Sequence, residues 1–441
     1  MPEYRIDNIC IFTNDQNNTV IQDGALVFSS GKIVDLGPAP VIQKRYAQYE
    51  SIDGEGRLCM PGWINTHMHL YGTYARGLVL QKAPADFPEI LNELWWRLDK
   101  ALDDEAVLYS ALVPAVTAIR HGVTAIIDHH ASPYAIDGSL DRIEEALLQA
   151  GLRAVLCYEL SDRDGVDKFA AGLAENERYI KKRDREGGEQ FAATIGLHSA
   201  FTLSDQSLQK TAALGKALHK GFHLHLAEGK VDNAFAEHGI SSTERLHRFG
   251  ILGDQTLAAH AVHISEQDME LLADTDTMAV HNPQSNMNNA VGRAPLFEML
   301  SKGILIGLGT DGMSASLTPE MRAALLIHKH ELADPSVGWN EISTMVLKNN
   351  AGIYERMSGL KCGQLQKGYP ADLILLDYFP PTPLNASNIW GHVIFGISDA
   401  VVDTTIVNGK ILMKNKQMIR LDEQRIAARS RELAERVWKK F

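Results

Sequence analysis

The chain has 441 residues, of which 45% are hydrophobic and 22% charged, so a wholly disordered chain is excluded. This length predicts about three domains of roughly 150 residues, or one large α/β barrel with an accessory domain. With 43 Lys and Arg against 55 Asp and Glu, the formal net charge of −12 argues against nucleic-acid binding, which favours a basic surface. Composition alone does not explain the 17 histidines.

The four cysteines are far apart in the sequence and include no Cys-x-x-Cys pair; they are Cys10, Cys59, Cys157 and Cys362. This spacing argues against a thiolate zinc site and against a disulfide framework, so a reducing compartment is expected. The first residues lack the basic-then-apolar pattern of a signal peptide, and no apolar run reaches the roughly 18 residues of a membrane span. We therefore expect a cytoplasmic protein without a membrane partner.

Both ends of the chain are rich in short β-type segments. Residues 1–58 alternate such segments with turn residues, and the same texture returns over 363–420. These two parts are expected to form one small β-sandwich domain built from both chain ends. The last segment, 421–441, places apolar residues at helical spacing among alternating charges, which predicts a helix that packs by one face.

Residues 59–362 alternate apolar, strand-like runs with amphipathic segments of helical length. Eight such runs are present, at 59–69, 122–130, 152–160, 191–198, 222–228, 256–263, 277–281 and 304–311. One intervening helix is expected over 265–274, because Ser265 and Asp268 match a capping box. Strands alternating with helices indicate parallel βαβ units, and eight units in about 300 residues predict a (β/α)₈ barrel of the TIM type. The alternative, a doubly wound open sheet, is disfavoured because no Gly-x-Gly-x-x-Gly motif follows the early strands.

Most of these runs end in residues that can bind a metal or move a proton. In chain order they are His67 and His69, His129 and His130, His198, His225 and Glu228, His260, His281, and Asp311. Because the carboxyl ends of parallel barrel strands converge on one face, these residues would meet in space although they are distant in sequence. An active site at this face is therefore predicted.

Two segments carry histidines at positions i and i+2, the spacing that places side chains on one face of a strand. His67 and His69 can therefore reach one metal ion, and neutral imidazole is a preferred ligand of zinc and iron. His223 and His225 also share a face, so periodicity leaves open which of them is a ligand. For both pairs the alternative is a structural role in a polar strand end. Asp311 closes an apolar run, where a metal ion, a salt bridge or a helix N-cap can satisfy a buried carboxylate.

Five ordered motifs resemble those of the amidohydrolase superfamily, in its metal-dependent deaminase and chlorohydrolase (ATZ/TRZ-like) branch. They are Pro61-Gly62 with Asn65-Thr66-His67-Met68-His69, His225-Leu226-Ala227-Glu228, Ala259-His260, His281-Asn282-Pro283 with Ser285-Asn286, and Gly309-Thr310-Asp311-Gly312. Residues 94–99 and 127–133 are similar to the SsnA group of aminohydrolases within that branch. The match runs essentially from end to end; it is specific for the superfamily and only weakly specific for the substrate.

The resemblance implies one divalent metal ion, held by His67, His69, His225 and Asp311. His225 is implied rather than His223 because the family's ligand lies three residues before the glutamate. Glu228 matches the proton-shuttling acid and base, and His260 with Asp311 matches the pair that activates water. The bridging carboxylated lysine of the two-metal members has no counterpart, so one ion is expected, Zn²⁺ with Fe²⁺ as the alternative.

Candidate substrate contacts lie around this set. The resemblance places His198 beside the substrate, while Trp96 can stack on a planar ring and Arg76 can bind a carboxylate. Core packing at helical spacing is the alternative for Trp96. One of His129 and His130 is expected to face the pocket; the residues leave open which one, and His130 is taken as the candidate.

His281 and Asn282 are expected to support the site. The set predicts a metal-dependent aminohydrolase that cleaves a C–N bond of a small heterocycle, such as a purine or pterin, through metal-activated hydroxide. The alternatives are opening of a cyclic amide or expulsion of halide or sulfide by the same residues, and an inactive barrel that acts as a binding protein. Analogy at the level of the fold predicts a homodimer or higher homo-oligomer.

Overall fold

The computed structural model describes residues 3–234 and 239–441. Within these residues the chain forms nineteen strands, which in chain order are β1 (Glu3–Phe12), β2 (Val20–Ser29), β3 (Lys32–Pro38), β4 (Glu50–Asp53), β5 (Leu58–Pro61), β6 (Trp63–Met68), β7 (Val123–Asp128), β8 (Arg153–Leu156), β9 (Glu159–Leu160), β10 (Phe191–Ala193), β11 (Ile195–Ser199), β12 (Phe222–Leu226), β13 (Leu257–His260), β14 (Met278–His281), β15 (Ile306–Leu308), β16 (Leu373–Asp377), β17 (Val401–Val407), β18 (Lys410–Lys414) and β19 (Gln417–Met418).

The described residues also form seventeen α-helices, which are α1 (Ala39–Arg45), α2 (Phe87–Ile90), α3 (Trp96–Ala101), α4 (Asp104–Arg120), α5 (Ser139–Ala150), α6 (Val166–Glu186), α7 (Asp205–Leu218), α8 (Val231–Ala234), α9 (Ser242–Arg248), α10 (Glu266–Asp274), α11 (Pro283–Asn288), α12 (Leu296–Ser301), α13 (Thr318–Leu332), α14 (Trp339–Thr344), α15 (Asn350–Ser358), α16 (Ile389–Phe395) and α17 (Glu423–Lys440). A π-helical turn, Leu91–Trp95, joins α2 to α3. The predicted capping box is present at α10, where Ser265 and Asp268 make both of its hydrogen bonds.

Strands from both chain ends share one sheet, which we call the terminal sheet. Its order in the described chain is β19-β18-β17-β16-β5-β1-β2-β3, with β4 paired to β1. The two ends meet where β16 runs antiparallel to β5, with Leu373 opposite Pro61. Ile6, Leu26 and Ile406 are fully buried in a common apolar cluster on this sheet. All these strands are hydrogen-bonded in one sheet, and a bridge between Lys32 and Pro370 brings the β3 end of that sheet back to the residues before β16.

The middle of the chain forms two parallel sheets within the described residues. Their orders are β10-β8-β7-β6 and β15-β14-β13-β12-β11-β9. Two of the predicted runs pass from one sheet to the other, because 152–160 divides into β8 and β9 and 191–198 divides into β10 and β11. Together with the remaining six, these runs give eight strand positions that alternate with helices. The prediction of a mixed α/β fold with parallel strands is confirmed.

The predicted run 59–69 is two strands rather than one. Its first residues form β5 of the terminal sheet, and β6 begins the parallel sheet at Trp63. Gly62 lies between them, where a Cβ would come within 2.1 Å of Thr124 Cγ2. The backbone therefore crosses from one sheet to the other at a point where only glycine has room.

The outer strands of the two parallel sheets meet through the segment that follows β15. Thr310 N–H donates to the His67 carbonyl over 2.9 Å, and His69 N–H donates to the Asp311 carbonyl over 3.3 Å. The backbone of Asp311 is thereby held beside the end of β6. Its φ of 53° lies in the left-handed region, which costs a non-glycine residue conformational energy and is common at functional sites.

The terminal sheet and the parallel sheets are joined by a buried ion pair. Arg153, at the start of β8, is 0% exposed and donates from Nε to Asp372 Oδ2 over 2.6 Å. Its Nη1 donates to the Glu189 carbonyl over 2.6 Å.

The helix predicted near the C-terminus is present as α17, with buried apolar residues on one face. None of the helices in the described chain combines the length and apolar character that a membrane span needs.

Candidate metal centre and active site

Strand ends bring imidazoles and a carboxylate together in a buried cluster. His69 Nε2 lies 2.9 Å from Asp311 Oδ1, and His67 Nε2 lies 3.1 Å from the same oxygen. His225, near the end of β12, places Nε2 at 3.0 Å from His69 Nε2. Ligand atoms of His67, His225, His260 and Asp311 all lie within 4.8 Å of one another. These groups can therefore converge on one ion.

The outer nitrogen of each first-strand imidazole fixes its tautomer. His69 Nδ1 lies 2.6 Å from the His129 carbonyl, which can only accept, so Nδ1 carries the proton. His67 Nδ1 lies 2.8 Å from His223 Nε2, and His223 Nδ1 faces Cys157 Sγ at 3.8 Å. Cys157 Sγ donates to the Asp128 carbonyl over 3.4 Å, so its sulfur accepts from His223 Nδ1 and His223 Nε2 accepts from His67 Nδ1. Histidine ligands of metals are commonly oriented through their second nitrogen in this way.

These tautomers leave lone pairs on His67 Nε2 and His69 Nε2 that point at the carboxylate of Asp311. Burial lowers the pKa of His69, but the hydrogen bond and charge of Asp311 outweigh this effect and raise it to about 9, so the site attracts a positive charge between these atoms. A metal cation supplies such a charge, and two imidazoles with a carboxylate are ordinary zinc ligands. The donor set therefore fits a divalent metal, and His223 lies behind His67 rather than among the ligands.

His260 and Glu228 lie side by side next to this cluster. His260 Nδ1 donates to Asn286 Oδ1 over 2.8 Å, so its Nε2 has a free lone pair. That Nε2 lies 3.5 Å from Glu228 Oε2. Burial raises the pKa of Glu228 to about 7; the Asp311 charge adds to this effect and His260 opposes it. A carboxyl group with a pKa near neutrality can both give and accept a proton.

The short helix α11 and the residue after it hold Asp311, Glu228 and His260, each by a side-chain hydrogen bond. Ser285 Oγ donates to Asp311 Oδ2 over 2.5 Å. Asn289 Nδ2 donates to Glu228 Oε1 over 3.1 Å and approaches Ser285 Oγ at 3.3 Å. Asn286 of the same helix accepts a hydrogen bond from His260, so this segment fixes the orientation of Asp311, Glu228 and His260.

Two adjoining cavities open beside the cluster. The inner cavity, of about 40 Å³, is lined by His69, Tyr71, Phe87, Leu91, Trp95, Trp96, Glu159, His198, His225, Glu228, Asn289 and Asp311. The outer cavity has about 1000 Å³ and shares Leu91 and Trp96 with the inner one. These two side chains, on the segment from α2 to α3, separate the cavities. A ligand with a ring in the inner cavity must displace them or be flanked by them.

Of the predicted substrate contacts, His198 and Trp96 line the inner cavity. Their rings lie 5.9 Å apart, and His198 Nδ1 is 2.9 Å from Thr202 Oγ1. Trp96 lines both cavities, so it is not a simple core residue of its helix. Trp95 also lines the inner cavity. Both aromatic side chains are half-buried.

Arg76 and His130, the other two predicted contacts, lie outside the described lining of the inner cavity. Arg76 is exposed and lines a separate cavity of about 30 Å³ on another side of Asp311. His130 is buried between two tyrosine rings, with Nε2 2.9 Å from Ser132 Oγ. Its neighbour His129 does not line the cavity among the described residues either. Its ring packs against the imidazoles of His67, His69 and His225.

The predicted supporting residues lie behind the cluster. His281 Nε2 is 3.2 Å from His328 Nε2, while the Asn282 side chain has no hydrogen-bond partner within the part of the chain that the structure describes. The sequence did not predict that His223 orients His67, that Asn289 donates to Glu228, or that Glu159 lines the inner cavity. Glu159 lies at the end of the third run and was within reach of the strand-end rule; Asn289 follows Asn286 at helical spacing.

Comparison with known proteins gives a family. The amidohydrolase family profile matches residues 58–412. A 5'-deoxyadenosine deaminase of Methanothermobacter thermautotrophicus is 32% identical over 380 residues, which is 85% of this chain and 86% of that protein. A 5-methylthioadenosine/S-adenosylhomocysteine deaminase of Desulforudis audaxviator is 30% identical over 425 residues, 94% of this chain and 95% of that protein.

Solved structures share the fold at lower sequence identity. A zinc-bound adenosine deaminase of Xanthomonas campestris matches with a TM-score of 0.87 at 20% identity, covering 99% of both chains. An atrazine chlorohydrolase of Arthrobacter aurescens complexed with zinc matches with a TM-score of 0.81 at 20% identity, covering 98% of this chain and 100% of that one. The predictions of the superfamily and of a hydrolase of C–N bonds are confirmed by these matches. The chain belongs to the amidohydrolase family.

Proposed function

We propose that this protein is a metal-dependent aminohydrolase that removes an amino group from an adenine-type heterocycle. The observation that carries the proposal is the buried cluster in which Asp311 Oδ1 lies 3.1 Å from His67 Nε2 and 2.9 Å from His69 Nε2, and His69 Nε2 lies 3.0 Å from His225 Nε2. Glu228 lines the adjoining cavity together with His69, His225 and Asp311. The relatives named as deaminases of adenosine derivatives support the substrate class.

The residues that would hold the ion are His67, His69, His225 and Asp311. When bound, a divalent ion supplies a Lewis acid that lowers the pKa of water towards neutrality. Zn²⁺ is the proposed ion, with Fe²⁺ as the alternative, since ligand type and availability decide between them. The zinc in two of the similar structures supports this choice.

The chain's own residues supply the proton transfers. His260 Nε2 and Asp311 orient the attacking water and take up its proton, and Glu228 protonates the ring nitrogen next to the attacked carbon. Oxygen thereby adds to carbon across the C=N bond. The C–N bond to the amino group then breaks as a proton passes to that nitrogen, so water and the amine become a ring carbonyl and ammonia. Asn286, Ser285 and Asn289 hold the three groups in place.

We further propose that the eight parallel strand positions close into a (β/α)₈ barrel over residues 59–362. The hydrogen bonds between the end of β6 and the segment after β15 support closure. We propose a β-sandwich over 1–58 and 363–420, supported by the return of β3 towards β16, where Ile33 N–H donates to the Tyr369 carbonyl over 2.8 Å. A separate C-terminal helix over 421–441 completes this division. A homo-oligomer and a cytoplasmic location stay predictions.

The proposal is tested with purified protein and variants of single residues. Metal content is measured by mass spectrometry, and ammonia release is measured on 5'-deoxyadenosine, 5-methylthioadenosine and S-adenosylhomocysteine. Glu228→Gln should keep its metal and lose about 100- to 10,000-fold in kcat. The double variant His67→Ala/His69→Ala should lose the metal, whereas His247→Ala, at an exposed histidine, should keep it.

Near-normal metal content in the double variant would contradict the ligand assignment. Near-normal turnover by Glu228→Gln would contradict the proton shuttle. Release of halide or sulfide, or ring opening without ammonia, would favour the alternative reactions on the same residues. A protein with neither metal nor turnover on any such ring would favour a binding protein.

A further inference from the structure

Glu159 is a buried carboxylate in the inner cavity that the proposed chemistry does not use. It begins β9, at the carboxyl end of the third strand run, and its backbone N–H donates to the His130 carbonyl over 2.7 Å. Its side chain is 2% exposed and lines the same cavity as Glu228 and Asp311. Besides Asp311, the proposed metal ligand, the carboxylates of Glu159 and Glu228 therefore both line the inner cavity.

The carboxylate of Glu159 lies within ion-pair distance of two histidines, and Arg163 further stabilises its charge, but one of its oxygens lacks a hydrogen bond. Oε2 lies 3.3 Å from His129 Nδ1 but accepts no hydrogen bond from the described residues. His129 Nε2 donates to the His223 carbonyl over 3.1 Å. Oε1 is 4.0 Å from His198 Nε2, beyond hydrogen-bond distance. Arg163, the nearby cation, donates instead to Asp99.

Oε2 of this carboxylate has no hydrogen bond within the described residues and can accept one from a ligand, and a hydrogen bond from an N–H group to a charged carboxylate is a strong one. Glu159 lines the inner cavity, and the described lining of the outer cavity does not include it. A ring placed next to Glu228 in the inner cavity would therefore lie beside Glu159, and a substituent on that ring would reach the outer cavity past Trp96.

We propose that Glu159 binds an N–H donor of the substrate ring, away from the scissile carbon, and thereby selects heterocycles that carry a second amino group or ring N–H. This inference rests on the proposed deaminase function and narrows its substrate class to rings of the 2-amino type. His198 borders the same edge and contributes a polar wall beside the aromatic ring of Trp96.

A matched pair of substrates tests the selection. Ammonia release is measured on 5'-deoxyadenosine and on its 2-amino derivative, with wild type, Glu159→Gln and the control Glu144→Gln, a buried carboxylate on α5 outside both cavities. A charge-assisted hydrogen bond predicts that wild type prefers the 2-amino member by about 10- to 100-fold in kcat/KM. Glu159→Gln should lose that preference, and Glu144→Gln should keep it.

Binding gives a second readout that does not depend on turnover. In equilibrium dialysis, 2-aminopurine should bind wild type about 10-fold more tightly than purine, and the two should bind Glu159→Gln equally. Equal affinity for wild type, or a preference that persists in Glu159→Gln, would overturn the inference.

Measuring the metal content of Glu159→Gln distinguishes recognition of the substrate ring by Glu159 from a role of Glu159 in the metal centre. Glu159 also belongs to a second group of candidate ligand atoms, with His69, His129 and His225, that lie within 4.8 Å of one another. Loss of metal in Glu159→Gln, with an equal fall on both substrates, would assign it to the metal centre and overturn ring recognition. Failure of wild type to release ammonia from either ring would instead contradict the proposed function itself.

Discussion

Replacing Asn286 with alanine removes the acceptor that fixes the tautomer of His260. The hydrogen bond is 2.8 Å long, and both side chains are about 1% exposed, so bulk water does not take the acceptor's place. An unsatisfied buried N–H costs about 1–3 kcal/mol. A free Nδ1 would also let the proton move to Nε2, the nitrogen that faces Glu228. Loss of such an orienting partner predicts a fall of about 10- to 100-fold in kcat/KM.

Asn286→Asp provides the matched control for this prediction. It keeps an oxygen at the acceptor position, and it removes an amide nitrogen that has no hydrogen-bond partner in the described chain. We therefore expect Asn286→Asp to keep most of the activity that Asn286→Ala loses. Steady-state ammonia release gives kcat/KM, metal analysis shows that the ion is retained, and thermal unfolding shows that the fold is retained. Wild-type activity in Asn286→Ala, or an equal loss in both variants, would refute the tautomer argument.

Three further variants test the packing and the electrostatics around the site. Gly229→Ala places a Cβ 2.5 Å from Phe87 Cδ1, so we expect a loss of about 1–3 kcal/mol in unfolding free energy and a raised KM, with Phe87→Leu in the same chain relieving part of both. Arg153→Met leaves Asp372 buried without its partner, and denaturant unfolding should show a loss of about 3–5 kcal/mol that the added Asp372→Asn change reduces. Burial, with the Asp311 charge, raises the pKa of Glu320 from 4.5 to about 8. The native state therefore holds a proton that the unfolded chain releases, so stability should fall as pH rises between these values by up to about 1.4 kcal/mol per unit; Glu320→Gln should flatten this slope, and an unchanged slope would contradict it.

The strand-end rule brought together the residues that the structure places in one cluster. His67, His69 and His225 lie together because strand periodicity is local and parallel strands all end on one face. Periodicity could not separate His225 from His223, since both point to the same side of β12. The family resemblance favoured His225, and in the structure His225 Nε2 lies 3.0 Å from His69 Nε2 while His223 contacts the outer nitrogen of His67.

Other parts of the site depend on how loops return over the strands. Arg76 and His130 follow strands β6 and β7, yet one side chain turns to the surface and the other packs between tyrosines. Asn289 carries no sequence signal of its own; its contact with Glu228 exists because α11 ends beside that residue. The boundary between β5 and β6 at Gly62 could not be predicted from the sequence, because one continuous apolar run supplies strands to two different sheets.

Ammonia release before and after removal of the metal tests the central claim most directly. The protein is assayed on 5'-deoxyadenosine, stripped of its ion with a chelator, assayed again, and then supplied with Zn²⁺. A metal-dependent aminohydrolase releases one ammonia for each ring converted, loses this activity with the ion and regains it with zinc. Ammonia release that continues at the same rate in the fully stripped protein would contradict the account.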